Sequence, residues 1–330
     1  MARVLTFGTG SIGILYSYVL WRAGAHVVCV CRSNYDDAKE NGFTIWSTVS
    51  GDGTFRPQIA SSVEDAVAAS EEPFEYLLVC TKAFPNSNPS PATLVASVVK
   101  HSSDVAIVLI QNGIGIEKPY RDLFPNTCII SGVTYSPTTQ VSPIGICHTE
   151  SLRLCIGSFS AQIPLRDDAS IITTLANLLK AGGTSVEVHP NIQIERWKKL
   201  VANAAWNPIC ALSQCRDVQF LSTSPVAMDC AQGVMREVVA VGNAVLGPGS
   251  LDEAVIEHQL KRTAARKWPG VEPSMMADIL SGKQVEVTVI VGEVIELARE
   301  RGVPTPRLEM LYSLVAALDW YTQKGRYESS

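Results

Sequence analysis

An α/β domain followed by an all-helical domain is the fold class this sequence predicts, on three observations. The chain opens on an apolar strand-like run, Arg3-Val-Leu-Thr-Phe7. The turn Gly8-Thr9-Gly10-Ser11-Ile12-Gly13 follows at once, then a helix-like stretch and a second apolar run, His26-Val-Val-Cys-Val-Cys31-Arg32. Strand-like and helix-like segments then alternate to residue 188, the pattern of a sheet with crossover helices. Beyond Pro190 the apolar period becomes helical and stays so.

The glycine spacing sets the ligand class. The first glycine permits a tight turn, the second lets backbone approach a pyrophosphate, and the third lets helix and strand pack closely. Because the motif leaves a strand directly and opens a helix, it reads as a dinucleotide-binding turn rather than an ordinary one. The pyrophosphate would rest on the helix N-terminus, where unpaired amides and the helix dipole favour an anion. The first domain is therefore expected to be Rossmann-type, with Gly8, Thr9, Gly10, Ser11, Ile12 and Gly13 binding the cofactor. NAD-binding chains end the second strand in Asp or Glu, for the ribose 2′-hydroxyl. Here Arg32 and Ser33 stand there, a guanidinium and a hydroxyl that suit a 2′-phosphate. The expected coenzyme is NADP(H); the plain alternative for Arg32 is a solvated cation at a strand end.

Further strands are read at Tyr76–Cys80, Val105–Ile110, Thr127–Val133 and Leu152–Ile156. Gly132 to Gly157 lacks an intervening helix and reads as late strands of the same sheet, antiparallel in part. Residues 167–181 place Ile171, Leu175 and Leu178-Leu179 on one helical face and stop at Gly182-Gly183. The boundary is put at the short segment Val186–Pro190. Residues 1–188 are then the NADP(H)-binding domain and 189–330 a helical substrate-binding and catalytic domain. Helices are read over 192–206, 227–245, 251–266, 275–281, 285–301 and 307–324, with Pro208 expected to kink or end the first. Leu308–Leu318 is read as core, a homodimer surface being the other option.

Composition narrows the class. Of 330 residues 46% are hydrophobic and 18% charged, a globular balance without a disordered signature, and the net charge of −5 draws neither nucleic acid nor an anionic membrane. The basic run Lys261–Lys267 reads as a solvated helix face. Nine cysteines, with no Cys-x-x-Cys pair, read as small buried side chains in a reducing compartment, and no metal site is expected. With no basic-then-apolar leader and no membrane-length apolar run, a cytoplasmic protein is expected.

Four features carry candidate chemistry. Gln111-Asn112-Gly113 and Thr81-Lys82 each follow a strand, where such sheets bind ligands, although Asn-Gly turns and surface lysines are common. Lys199, Asn203 and Asn207 step by four along an apolar helix and form one polar stripe, which suits a cation held and aimed. Ser274 and Asp278 suit a helix cap and its first turns. Glu286 lies in the apolar run Val285–Val291, where a carboxylate needs a partner such as Lys199.

Together these residues resemble the ketopantoate reductases, NADPH-dependent enzymes of pantothenate biosynthesis. The likeness covers both domains in order: the glycine motif, Arg32, Lys82, Gln111-Asn112-Gly113, Trp197-Lys198-Lys199-Leu200, Asn203, Asn207-Pro208, Ser274-Met275 through Asp278, and Glu286. The resemblance implies Lys199 as general acid and Glu286 as a partner of the substrate hydroxyl or of the lysine. It implies that Asn203, Asn207 and Ser274 bind substrate, that Lys82 contacts cofactor, and that Asn112 contacts both. After its glutamate the family runs roughly Ile-Asp-x-x-Asn-Gly, whereas here Glu286 is followed by Val-Thr288-Val-Ile-Val291-Gly292. Thr288 and Val291 bear on the substrate more than on the cofactor. The implied reaction is reduction of 2-dehydropantoate to pantoate, a small-molecule oxo acid. Two alternatives stay open: a paralogue reducing another oxo or imine intermediate of specialised metabolism, and a non-redox NADP(H)-binding protein.

Overall fold

A computed structural model describes residues 1–159 and 167–325. The chain divides into two compact units, Met1–Asn112 with Ile116–Ile192, and Gly113–Gly115 with Gln193–Ser330.

The first unit holds twelve strands among its described residues: β1 (Arg3–Phe7), β2 (His26–Val30), β3 (Phe43–Ser47), β4 (Gly53–Phe55), β5 (Gln58–Ala60), β6 (Tyr76–Val79), β7 (Ala106–Leu109), β8 (Ile129–Thr134), β9 (Thr138–Ser142), β10 (Gly145–His148), β11 (Arg153–Ser158) and β12 (Ser185–Val188). Eight form one sheet in the order β12-β11-β8-β7-β6-β1-β2-β5. β1 runs parallel to both β2 and β6, with Arg3 opposite His26 and Val4 opposite Tyr76. β2, β6 and β7 are apolar almost throughout because they are buried along their length, leaving no solvent side for polar residues. From β1 the chain first extends the sheet on one side, through β2, and later on the other, through β6. β1 therefore lies at the topological switch point, where open α/β sheets bind ligands beyond the strands' carboxyl ends.

The segment from Gly132 to Gly157 departs from the reading above. β8 and β11 do pair antiparallel in the large sheet, but β9 and β10 leave it. They form a separate four-stranded sheet, β4-β3-β10-β9. The reason is in the side chains: β9 reads Thr-Thr-Gln-Val-Ser with its middle residues exposed, a strand that two buried faces would not accept.

Helix Ser11–Arg22 buries every residue from Gly13 to Leu20. Helix Asp168–Ala181 buries Ile172, Leu175, Ala176 and Leu179, with Ile171 and Leu178 partly buried beside them, and the Asp167 carboxylate accepts from Ser170 N at 3.2 Å as its cap.

Among the described residues the second unit has only helical elements. The long helix Ile192–Ser213 continues past Pro208 instead of ending at Asn207. Interior proline costs a backbone bond, but the burial of Trp197, Leu200, Val201, Ala204, Ala205, Ile209 and Cys210 along the same helix outweighs it. A π-helical turn, Thr288–Gly292, precedes helix Glu293–Arg301. Helix Pro306–Trp320 is capped by the buried Glu237 carboxylate, which accepts from Arg307 N at 3.1 Å and Leu308 N at 3.0 Å. Its Leu308, Leu311 and Val315 are core while Met310 and Leu314 are exposed. Gly113–Gly115 joins this unit because Ile114 N donates to Val289 O at 3.0 Å and the buried Arg196 guanidinium donates to Gly113 O at 2.9 Å.

Two smaller readings need amending. Lys261 and Arg262 are exposed, but Arg266 pairs with the buried Asp217 carboxylate, so the basic run is not wholly a solvated face. Cys29, Cys31, Cys128, Cys155 and Cys210 are buried, whereas Cys230 is exposed. No helix among the described residues is long and apolar enough to cross a membrane.

Candidate active site

In the first unit the carboxyl ends of four parallel strands carry the expected residues: Gly8 after β1, Arg32 after β2, Lys82 after β6 and Asn112 after β7. Gly8 has φ +101°, and a Cβ on it would lie 2.5 Å from Thr81 N and 2.7 Å from Thr81 Cγ2, so the turn packs against the segment after β6 with no room for a side chain. A Cβ on Gly13 would fall 1.9 Å from Gly8 O; a side chain there would drive helix Ser11–Arg22 off the turn. Gly10 is different: a Cβ there meets nothing within 4 Å. Gly10 is also the N-cap of helix Ser11–Arg22, with no side-chain cap bond, and no acidic residue stands in the first turn formed by Ser11, Ile12 and Gly13. Unfilled space at an uncapped, uncharged helix N-terminus fits a dinucleotide pyrophosphate.

Thr9 faces the other way. Its side chain is buried and lies 3.4 Å from Val30 O, 3.4 Å from Cys31 Sγ and 3.3 Å from Asn34 Oδ1. It can therefore offer an anion only its backbone. Arg32 is exposed beside this network. The Gln111 amide donates to Thr81 O at 2.8 Å, tying the ends of β6 and β7 together next to Lys82 and Asn112, both part-buried. Burial pushes the Cys29 thiol up to about 12 and raises Cys31 and Cys80 as well, so these thiols are inert at neutral pH.

In the second unit Lys199, Asn203 and Asn207 follow one another at four-residue steps on the continuous helix, Lys199 and Asn203 part-buried and Asn207 buried. Asn207 Nδ2 donates to Asn203 O at 3.1 Å, and Asn207 Oδ1 accepts from Ser274 Oγ at 3.2 Å and from Met275 N at 3.1 Å. The structure thus joins Asn203, Asn207 and Ser274 into one hydrogen-bonded line. Ser274 is not a cap, contrary to the capping alternative. Pro273 occupies the N-cap of helix Ser274–Leu280 without a side-chain bond, and the Ser274 hydroxyl is spent on Asn207. Asp278 is part-buried on that helix. Glu286 is only 8% exposed, just before the π-helical turn. Of the two positions that depart from the family pattern, Thr288 is part-buried and Val291 has no exposure.

Sequence reasoning missed two residues. Asn34 lies two residues past Arg32 with no motif around it, and Arg196 lies within the charged cluster Glu195–Lys199. Neither type nor spacing singles them out; their buried bonds do.

Residues 4–161 match the family model described as "Ketopantoate reductase PanE/ApbA", and residues 191–319 match "Ketopantoate reductase PanE/ApbA C terminal". The chain belongs to the ketopantoate reductase family. A crystal structure of 2-dehydropantoate 2-reductase from Methylococcus capsulatus is 32% identical, with a TM-score of 0.84 and 98% of each chain covered. The uncharacterised protein YDL144C of Saccharomyces cerevisiae is 29% identical over 96% of this chain and 93% of its own length. The ternary structure of D-mandelate dehydrogenase with NADH and anilino(oxo)acetate has a TM-score of 0.82 at 18% identity, covering 97% of this chain and 99% of that one; at this identity the likeness is one of fold. Ketopantoate reductases are oxidoreductases that act on a C=O/CH–OH pair of small oxo acids with a nicotinamide dinucleotide.

Proposed function

We propose that this ketopantoate reductase family member uses NADPH to reduce a 2-oxo acid, 2-dehydropantoate to pantoate in the first instance, in the cytoplasm. The observation that carries this reading is the line Asn203–Asn207–Ser274, one helical turn from Lys199. The coenzyme, when bound, supplies the hydride. Gly10 and the amides of Ser11, Ile12 and Gly13 would hold its pyrophosphate, Lys82 and Asn112 would contact it, and Arg32 would read its 2′-phosphate.

Reduction leaves negative charge on the substrate carbonyl oxygen. A protonated Lys199 aimed at that oxygen stabilises the charge and delivers the proton, a contribution on the order of 10²–10⁴ in rate. Glu286 favours the protonated lysine or accepts from the substrate hydroxyl. Asn203, Asn207, Ser274 and Asn112 orient the oxo acid so that one carbonyl face is presented.

Val291 favours a second reading. A fully buried valine where the family pattern has asparagine alters the polarity near Glu286, as a paralogue acting on a different oxo or imine compound would require. The test is oxidation of NADPH, followed by absorbance, by purified protein with 2-dehydropantoate and with NADH as control. Turnover with NADPH supports the primary reading. NADPH binding without turnover transfers support to the paralogue, to be tried on bulkier oxo acids. Binding without turnover on any of them leaves a non-redox binding protein.

A further inference from the structure

We infer that Asn34 is a positioning residue for the coenzyme, clamping the glycine-rich turn through Thr9 and anchoring it to the second sheet. This inference rests on the dinucleotide reading above. Asn34 occupies the N-cap of helix Tyr35–Asn41, where an asparagine ordinarily turns its side-chain oxygen to the first free amides of the helix. Here it makes no such bond. Its side chain is buried and spent on other segments. Oδ1 accepts from Thr9 Oγ1 at 3.3 Å, and Nδ2 lies 3.4 Å from Thr9 O and 3.0 Å from Pro143 O.

Three parts of the first unit therefore meet on one amide: the turn after β1, the loop after β2, and the β9–β10 hairpin through Pro143. The chemistry requires an amide. Its oxygen faces a hydroxyl donor and its NH₂ faces two carbonyls, a pattern that an uncharged carboxamide satisfies and a carboxylate does not. Thr9 is the residue between Gly8 and Gly10, and neither glycine has a side chain to hold the turn in place. Thr9 is thus the handle through which the conformation at Gly10 is fixed, and Asn34 holds that handle by side chain and by backbone. The hairpin contributes the far anchor: a Cβ on Gly145 would meet Trp46 Cζ3 at 2.8 Å, so β10 is seated tightly on β3. Because the clamp acts on the turn that carries the pyrophosphate, it serves NADPH and NADH equally. Arg32, by contrast, is expected to read only the 2′-phosphate.

The experiment is fluorescence titration of NADPH and of NADH into the purified full-length protein, its Asn34→Ala and its Asn34→Asp variants, with melting of the coenzyme-free proteins alongside. Asn34→Asp keeps the acceptor for Thr9 Oγ1 but sets a carboxylate oxygen against two carbonyls. The expected result is a Kd raised about tenfold for both dinucleotides in both variants, an NADPH:NADH preference within about twofold of wild type, and kcat at saturating coenzyme little changed. Unchanged Kd values with wild-type melting overturn the inference. A loss confined to NADPH also overturns it, because Asn34 would then be touching the 2′-phosphate itself. If the wild-type protein binds neither dinucleotide, the functional reading falls and this inference falls with it.

Discussion

Gly10→Ala should weaken coenzyme binding and leave the fold intact, with Gly13→Ala as its opposite. The Gly10 backbone, φ −78° and ψ −170°, is open to any L-residue, and the added methyl meets no atom within 4 Å. Alanine is a poorer N-cap than glycine by about 0.5–1 kcal/mol. The loss of unfolded-chain freedom returns about 0.4–1 kcal/mol. The two nearly cancel, so Tm should move by less than about 3 °C. Binding is another matter. The methyl occupies the space through which backbone reaches the pyrophosphate, and losing one hydrogen bond to a charged group, about 1.5–3 kcal/mol, weakens NADPH about 10- to 100-fold. In Gly13→Ala the new Cβ would fall 1.9 Å from Gly8 O, a backbone atom that cannot yield without opening the turn. Overpacking of this kind costs about 1–3 kcal/mol or more, and Tm should fall by about 3–10 °C. Melting curves and fluorescence titration on the two variants decide the matter. Wild-type NADPH affinity in Gly10→Ala would refute the placement of the pyrophosphate; a Tm loss in Gly10→Ala equal to that of Gly13→Ala would refute the packing argument.

Lys199→Ala should lower kcat by about 10²–10⁴ while NADPH Kd stays within about twofold, and near-normal turnover removes the lysine from the acid role. Arg32→Ala should weaken NADPH and spare NADH; equal loss with both means that it does not read the 2′-phosphate. Asn207→Ala strips the acceptor from Ser274 Oγ and the buried Met275 N–H, costing about 1–3 kcal/mol of stability and raising substrate KM, with melting and steady-state kinetics as readouts. Arg153 donates to Glu187 through Nε and Nη2 and holds its carboxyl down to about 2. The ionised form is thus favoured by folding, so this stabilisation is present above the ordinary value of 4.5 and fades as pH falls from there towards 2. Both groups are more than a third exposed, which limits the effect to less than about 1 kcal/mol. Glu187→Gln should flatten that stretch of the stability–pH curve, and parallel curves for variant and wild type would discard the assignment.

What was legible in the sequence follows from burial. β1, β2, β6 and β7 could be read because strands covered on both faces must be apolar throughout. β3, β4, β5, β9 and β10 escaped or were misassigned because they are short or half-exposed and carry polar residues. At Pro208 local propensity argues for a kink or an end, and the tertiary burial of the whole helix overrides the end. In the candidate site the repeating types and spacings, Gly-x-Gly-x-x-Gly and Lys-x-x-x-Asn-x-x-x-Asn, were visible. The bonds from Ser274 to Asn207 and from Asn34 to Thr9 join residues 67 and 25 positions apart. No local pattern announces pairings of that kind.

The tripeptide Gly113–Gly115 bears on any attempt to recombine this protein with a relative. A chimera joined at Ile192 exchanges the helical portion but leaves behind the three residues whose backbone bonds to Val289 and Arg196 belong to it. Gly113, at φ +88° and with Val289 O 2.5 Å from where its Cβ would be, tolerates no other residue type. The heritable module is therefore discontinuous: a donor's helices should transplant with function only when its own 113–115 segment travels with them.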